Sequence, residues 1–119
     1  MARILVGVND LIFYSKINET AKQLGVEIQP AKGQKEFAEL VRNRPGLIII
    51  DLNFKELGPL EVIRKLKNTD GFMNIPILAY CNHTQKDLIQ KAEFLGCDFV
   101  LSQSEFSGKL PDFVKRFCR

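Results

Sequence analysis

The segment Leu47-Ile48-Ile49-Ile50-Asp51-Leu52-Asn53 opens with four bulky apolar residues in a row and then meets a carboxylate. Pro45-Gly46 precedes it and a polar loop follows. A short continuous apolar run bounded in this way reads as a strand buried on both faces. Asp51 then stands where the strand leaves the core. In an open parallel sheet, ligands bind outside the carboxyl ends of the strands. Asp51, and the other strand ends that meet it, therefore define the candidate site.

Working outward, the same two-faced apolar pattern recurs in Arg3-Ile4-Leu5-Val6-Gly7-Val8. Asn9 and Asp10 follow, either of which suits a helix N-cap. Phe13, Ile17, Ala21 and Leu24 share one face of a helix expected over about 11–24, and Gly25 is placed to end it. Val26-Glu27-Ile28-Gln29 alternates and is closed by Pro30, the pattern of a strand near a sheet edge. Further helices are expected over about 33–43, burying Phe37, Leu40 and Val41, and over about 59–68, burying Val62, Ile63 and Leu66. Pro59 suits a first helical turn, where its missing donor is not needed. Ile75 to Tyr80 reads as a fourth strand with Pro76 at its start. A helix over about 85–95 carries Leu88, Ala92 and Leu95 inward, and Asp98 to Leu101 reads as a fifth strand. A last helix is expected over about 109–119, with Pro111 in its first turn and Leu110, Phe113, Val114 and Phe117 on its buried face.

Five strands alternating with five helices predict right-handed crossovers, a parallel sheet and helices on both faces. The expected fold is α/β, a five-stranded parallel sheet of order 2-1-3-4-5 of the flavodoxin-like type, with residues 1–119 as a single domain. Its switch point falls between strands one and three, whose ends carry Asn9-Asp10 and Asp51. Strands four and five bring Cys81-Asn82 and Ser102-Gln103 to the same rim.

The composition of the 119 residues, 45% hydrophobic and 26% charged, is that of a globular chain large enough to bury a core. No apolar stretch approaches the roughly 20 residues of a membrane span. The first residues have no signal-peptide layout, so a cytoplasmic location is expected. The three cysteines include no CxxC pair, which points away from a disulfide framework. The net charge of +3 gives no ground for direct nucleic-acid binding; Lys109, Lys115, Arg116 and Arg119 read as a solvated helix face. There is no P-loop or GxGxxG, and the loop after strand one lacks the hydroxyl- and glycine-rich make-up of a flavin phosphate site. Cys81 with His83 is too small a set for a metal centre. Ser102 has no evident base partner for nucleophilic work.

Asp51-Leu52-Asn53-Phe54, Ile75-Pro76-Ile77-Leu78 and Leu95-Gly96-Cys97-Asp98-Phe99, taken with the order and lengths of the elements, resemble the receiver domain of two-component response regulators, the CheY-like superfamily, over essentially the whole chain. The resemblance implies a phosphoacceptor at Asp51 and a metal-binding backbone carbonyl at Asn53. It places a Ser/Thr switch at Cys81 and a phosphate-holding Lys at Ser102, with Gln103 where a proline usually follows. The family's acidic pair falls on Asn9-Asp10, leaving Asp10 as the one carboxylate; an ungapped match places Val8-Asn9 there and leaves none. Lys55 stands where a proline is usual in the loop after Asp51.

A lost charged donor to a phosphoryl oxygen forfeits roughly 1.5–3 kcal/mol, and each lost carboxylate weakens Mg²⁺, which wants hard oxygen ligands. The expectation is a degenerate receiver: a signalling module acting through protein contacts, with phosphoryl transfer impaired, no catalytic residues of its own and no cofactor beyond weakly held Mg²⁺ at Asp10, Asp51 and Asn53. The alternative is a genuine single-domain response regulator phosphorylated on Asp51 with Mg²⁺ on Asp10. A flavodoxin-type ligand or enzyme site is the third reading. Expected partners are other signalling proteins, a histidine kinase or an output protein, with homodimerisation through helix 4, strand 5 and helix 5. Phe94 and Phe106 are the candidate exposed anchors on that face. With no effector domain after residue 119, output is expected through another chain, unless the sequence is a domain cut from a longer protein.

Overall fold

A computed structural model of the chain describes residues 2–118. The elements are β1 (Arg3–Gly7), α1 (Leu11–Leu24), β2 (Glu27–Pro30), α2 (Gln34–Leu40), β3 (Leu47–Asp51), α3 (Pro59–Lys67), β4 (Ile77–Cys81), α4 (Lys86–Phe94), β5 (Phe99–Ser102) and α5 (Gln103–Phe117). Short 3-10 turns at Val41–Asn43 and Lys55–Leu57 extend α2 and precede α3. The strands form one sheet of order β2-β1-β3-β4-β5, and every pairing is parallel. Both the topology and the parallel sense agree with the sequence reading.

β3 lies at the centre and all five of its residues are buried. Its alternate side chains feed two cores. Ile48 and Ile50 pack with α2, α3 and α4 through Phe37, Val62, Ile63 and Ala92. Leu47 and Ile49 pack with α1 and α5 through Ile17, Ala21, Phe106, Leu110 and Val114. A strand covered on both faces has no polar side, which is why its sequence does not alternate. Gly7 ends β1 beside this core, and a Cβ there would lie 2.6 Å from Leu57 Cδ2. Gly25 closes α1 with φ +69°, a left-handed backbone that glycine adopts without steric penalty. No helix of the described residues is long and apolar enough to cross a membrane.

Two boundaries differ from expectation in ways that matter. α5 begins at Gln103, not Lys109, because Ser102 and Glu105 form a reciprocal capping box: Glu105 N–H donates to Ser102 Oγ at 3.2 Å and Ser102 N–H to Glu105 Oε1 at 3.0 Å. Pro111 therefore lies inside the helix, where the buried stripe Phe106, Leu110 and Val114 holds the chain helical around it. β4 begins at Ile77 because Pro76 has no ladder donor. Arg119, one of the expected C-terminal basic cluster, lies outside the described residues.

Candidate functional site

Parallel pairing carries the carboxyl ends of β1, β3, β4 and β5 to one edge. Asp51 is the register partner of Tyr80, and Cys81 that of Ser102. The Asp51 side chain follows Leu47 and Ile49 onto the α1–α5 side of the sheet. It is 7% exposed and is the one polar or charged residue classed as buried among the described residues. The chain turns immediately after it, and Asn53 N–H folds back to donate to Asp51 Oδ1 at 2.9 Å. Asn53 thus meets Asp51 through its backbone. Its side-chain amide faces away and pairs reciprocally with Gln85, both bonds 2.9 Å. Gln85 also accepts from Asn82 N–H at 3.1 Å, so an amide clasp joins the loops after β3 and β4. Gln85 was not singled out in the sequence; an isolated glutamine at a helix start carries no pattern that marks it.

Burial pushes the Asp51 carboxyl above the ordinary carboxylate range. The Asn53 amide pulls it back, the Asp10 charge adds to the rise, and the Tyr80 hydroxyl dipole opposes it. No lysine or arginine contributes. Asp10 is therefore close enough to be felt, but it is first a helix cap: its Oδ1 accepts from Ile12 N–H at 2.8 Å and Phe13 N–H at 3.3 Å. Asn9, beside it, is exposed. Cys81 is fully buried on the opposite face of the sheet, among the α2–α4 core residues. Burial and then the Asp51 charge raise its thiol pKa, which disfavours a reactive thiolate. Ser102 uses its hydroxyl as the α5 cap and lies two strands from β3, about 10 Å at normal strand spacing. Lys55 and His83 are exposed.

The site therefore gathers Asp51, Asp10 and Tyr80 on one face of the sheet; Cys81 lies on the other face within reach of the Asp51 charge, and Ser102 is held as the α5 cap. Among the described residues there is no group of three or more His, Cys, Asp or Glu placed to hold a metal. Mg²⁺ demands near-octahedral oxygen ligands. Two carboxylates, each with one oxygen already taken by backbone amides, fit that demand poorly.

Of the two candidate anchors, Phe94 is 89% exposed. It lines a hollow of about 440 Å³ with Leu60 of α3 and with Asp87, Gln90, Lys91 and Leu95. The hollow opens along the α3–α4 seam. Phe106 is corrected: it is 0% exposed, because the earlier start of α5 places it on the helix's inner stripe. It packs 4.5 Å from the Tyr80 ring and 6.0 Å from Phe13. It is a core residue and no anchor.

No family model matches the chain. The polar-differentiation response regulator DivK of Brucella anthropi is 30% identical over 80 residues, which span 66% of this chain and 65% of that protein, just under two thirds of its length. The sporulation initiation phosphotransferase F of Bacillus subtilis is 22% identical over 102 residues, 85% of this chain and 81% of that protein. Over these stretches the chain is similar to response-regulator receivers. Solved structures share the fold. The chemotaxis response regulator CheY4 of Vibrio cholerae superposes with a TM-score of 0.82 at 19% identity, covering 98% of both chains. The phosphorylated cyanobacterial phytochrome response regulator RcpA superposes with a TM-score of 0.84 at 17% identity, covering 98% of this chain and 93% of that chain.

Proposed function

We propose that this receiver is a regulatory protein-interaction module whose phosphoryl-transfer chemistry is impaired. The observation that carries the reading is the setting of Asp51. It is buried at the expected strand end, accepts one backbone hydrogen bond, and is influenced by a second carboxylate but by no cation. A site that stabilises an aspartyl phosphate gathers cations around the transferring group, because the charge it must balance is negative. Here the charge that acts on Asp51, that of Asp10, has the wrong sign. Ser102 is engaged as a cap, and Cys81 offers only a weak donor. Mg²⁺, if held by Asp10, Asp51 and the Asn53 carbonyl, binds weakly.

The output is then a surface contact with another signalling protein, a histidine kinase or an output protein. Phe94 and the hollow it shares with Leu60 form the proposed contact. No catalytic turnover is assigned to the chain. The curated relatives are named a response regulator and a phosphotransferase, and those activities belong to them. The rival reading, Asp51 phosphorylated with Mg²⁺ on Asp10, draws on the nearness of the two carboxylates.

Amide NMR with beryllofluoride and Mg²⁺ at millimolar concentration separates the two readings. The proposal expects no saturable shifts around residues 10, 51, 81 and 102. Saturable, Mg²⁺-dependent shifts at those positions would overturn it in favour of the rival.

A further inference from the structure

We infer that Tyr80 couples the charge of Asp51 to the packing of α1 against α5, so that masking or removing that charge is read out on the α1–α5 face. This goes beyond the proposed function and holds whether or not Asp51 ever takes a phosphoryl group.

Tyr80 is 1% exposed. Its ring lies between Phe13 of α1, at 4.9 Å, and Phe106 of α5, at 4.5 Å. Its hydroxyl is buried and has no hydrogen-bond partner among the described residues. Such an orphan is rare in folded proteins and calls for a physical reason. Asp51 supplies one. As register partners on adjacent strands, the two residues project to the same side of the sheet. The charges of Asp51 and Asp10 both act on the hydroxyl, and Asp51 acts more strongly. The hydroxyl stands close enough to the carboxylate for each to act on the other's charge, yet short of a well-formed hydrogen bond. A small movement of the ring makes or breaks that bond.

The ring cannot make that movement alone. Close-packed interiors transmit displacement to their neighbours, and the two neighbours here belong to two different helices. α1 and α5 lie side by side over this face. An ionised Asp51 attracts the hydroxyl dipole. When the charge is removed the attraction lapses, and the aromatic trio resettles. Phe13 follows directly on Leu11 and Ile12, which are 81% and 76% exposed, so the adjustment emerges at an apolar stretch of surface. Tyr80 is thus a positioning residue between a buried carboxylate and a helix pair.

The test is a double-mutant cycle on the full chain, read by side-chain NMR of Phe13 and Phe106. Asp51→Asn removes the charge while keeping the shape, and Tyr80→Phe removes only the hydroxyl. Expected is a clear shift of both phenylalanine ring resonances on Asp51→Asn when Tyr80 is present, and its loss in the Tyr80→Phe background. Equal shifts in the two backgrounds overturn the coupling, because the charge then acts without the hydroxyl. No ring shift in either background overturns it also. Amide spectra of each single variant establish that the fold is retained. None of these readouts involves phosphorylation, so the outcome is separate from that of the beryllofluoride titration.

Discussion

Asp51 and Tyr80 are register partners across β3 and β4, a buried carboxylate beside a buried hydroxyl with no cation contributing. The folded-state pKa of Asp51 is raised, chiefly by burial. Below the ordinary carboxylate range near ~4, folded and unfolded chains both hold the proton and Asp51 contributes no penalty. As pH rises past that range the unfolded chain releases its proton first, and stability falls until the folded pKa is passed. Asp51→Asn is therefore expected to raise the urea midpoint at pH 7, with the gain shrinking toward pH 4. A variant less stable than the parent at pH 7 would mean that the bond from Asn53 outweighs the cost of burying the charge.

Two phenylalanines make a matched pair. Phe106 is fully buried between Tyr80 and Phe13, whereas Phe94 is almost wholly exposed. Phe106→Ala is expected to cost about 3–5 kcal/mol, the range for emptying an aromatic from a core. Phe94→Ala should stay within about 0.5 kcal/mol of the parent, as surface substitutions do. Denaturant unfolding of the two variants checks both values. A large loss for Phe94→Ala would move that residue from contact surface to scaffold.

The three cysteines are free and buried. Burial is the leading cause that pushes the Cys97 thiol up to about 12 and Cys118 up to about 11, and it raises Cys81 as well. Thiolate is the reactive form, so at pH 8 the native protein should react with a disulfide reagent far more slowly than the urea-unfolded chain, which should label at all three sites. Fast native labelling of Cys81 would show that its thiol is reached by solvent and ionises despite its burial.

The fold was legible because its signals are local. The unbroken apolar run at Leu47–Ile50, the glycine and proline stops, and the 3.6-residue stripes each act over a few residues. Asp51 at a buried strand end followed from the same logic. The start of α5 was missed although Ser102 and Glu105 carry the capping-box spacing; Pro111 was read as a helix start when the cap already stood upstream. With α5 starting at Gln103, Phe106 falls on the buried stripe of the helix and not on its exposed approach. Tyr80 was passed over because its role depends on meeting Asp51 from another strand, and a strand sequence does not say which partner lies opposite. The clasp of Asn53 with Gln85 joins residues far apart in sequence in the same way.

Lys67 and Asp98 form a second long-range pair that no sequence pattern announced. Lys67 Nζ lies 2.6 Å from Asp98 Oδ2, with the lysine side chain 10% exposed and the aspartate 36%. The ammonium also donates to the carbonyls of Met73 at 3.1 Å and Ile75 at 3.0 Å, and Asp98 accepts from Ile77 N–H at 2.8 Å. The pair thus pins the start of β4 to the end of α3. Its two halves are not equivalent. Lys67→Met removes the buried charge and leaves a carboxylate that water can reach, at a cost expected near 1 kcal/mol. Asp98→Ala strands a buried ammonium and frees the Ile77 amide, at a cost expected near 3 kcal/mol, since an uncompensated buried charge is the expensive outcome. Urea midpoints of the two variants test the order. Equal losses, or a larger loss for Lys67→Met, would show that the contacts to the Met73 and Ile75 carbonyls, not the charge pair, hold this corner of the sheet.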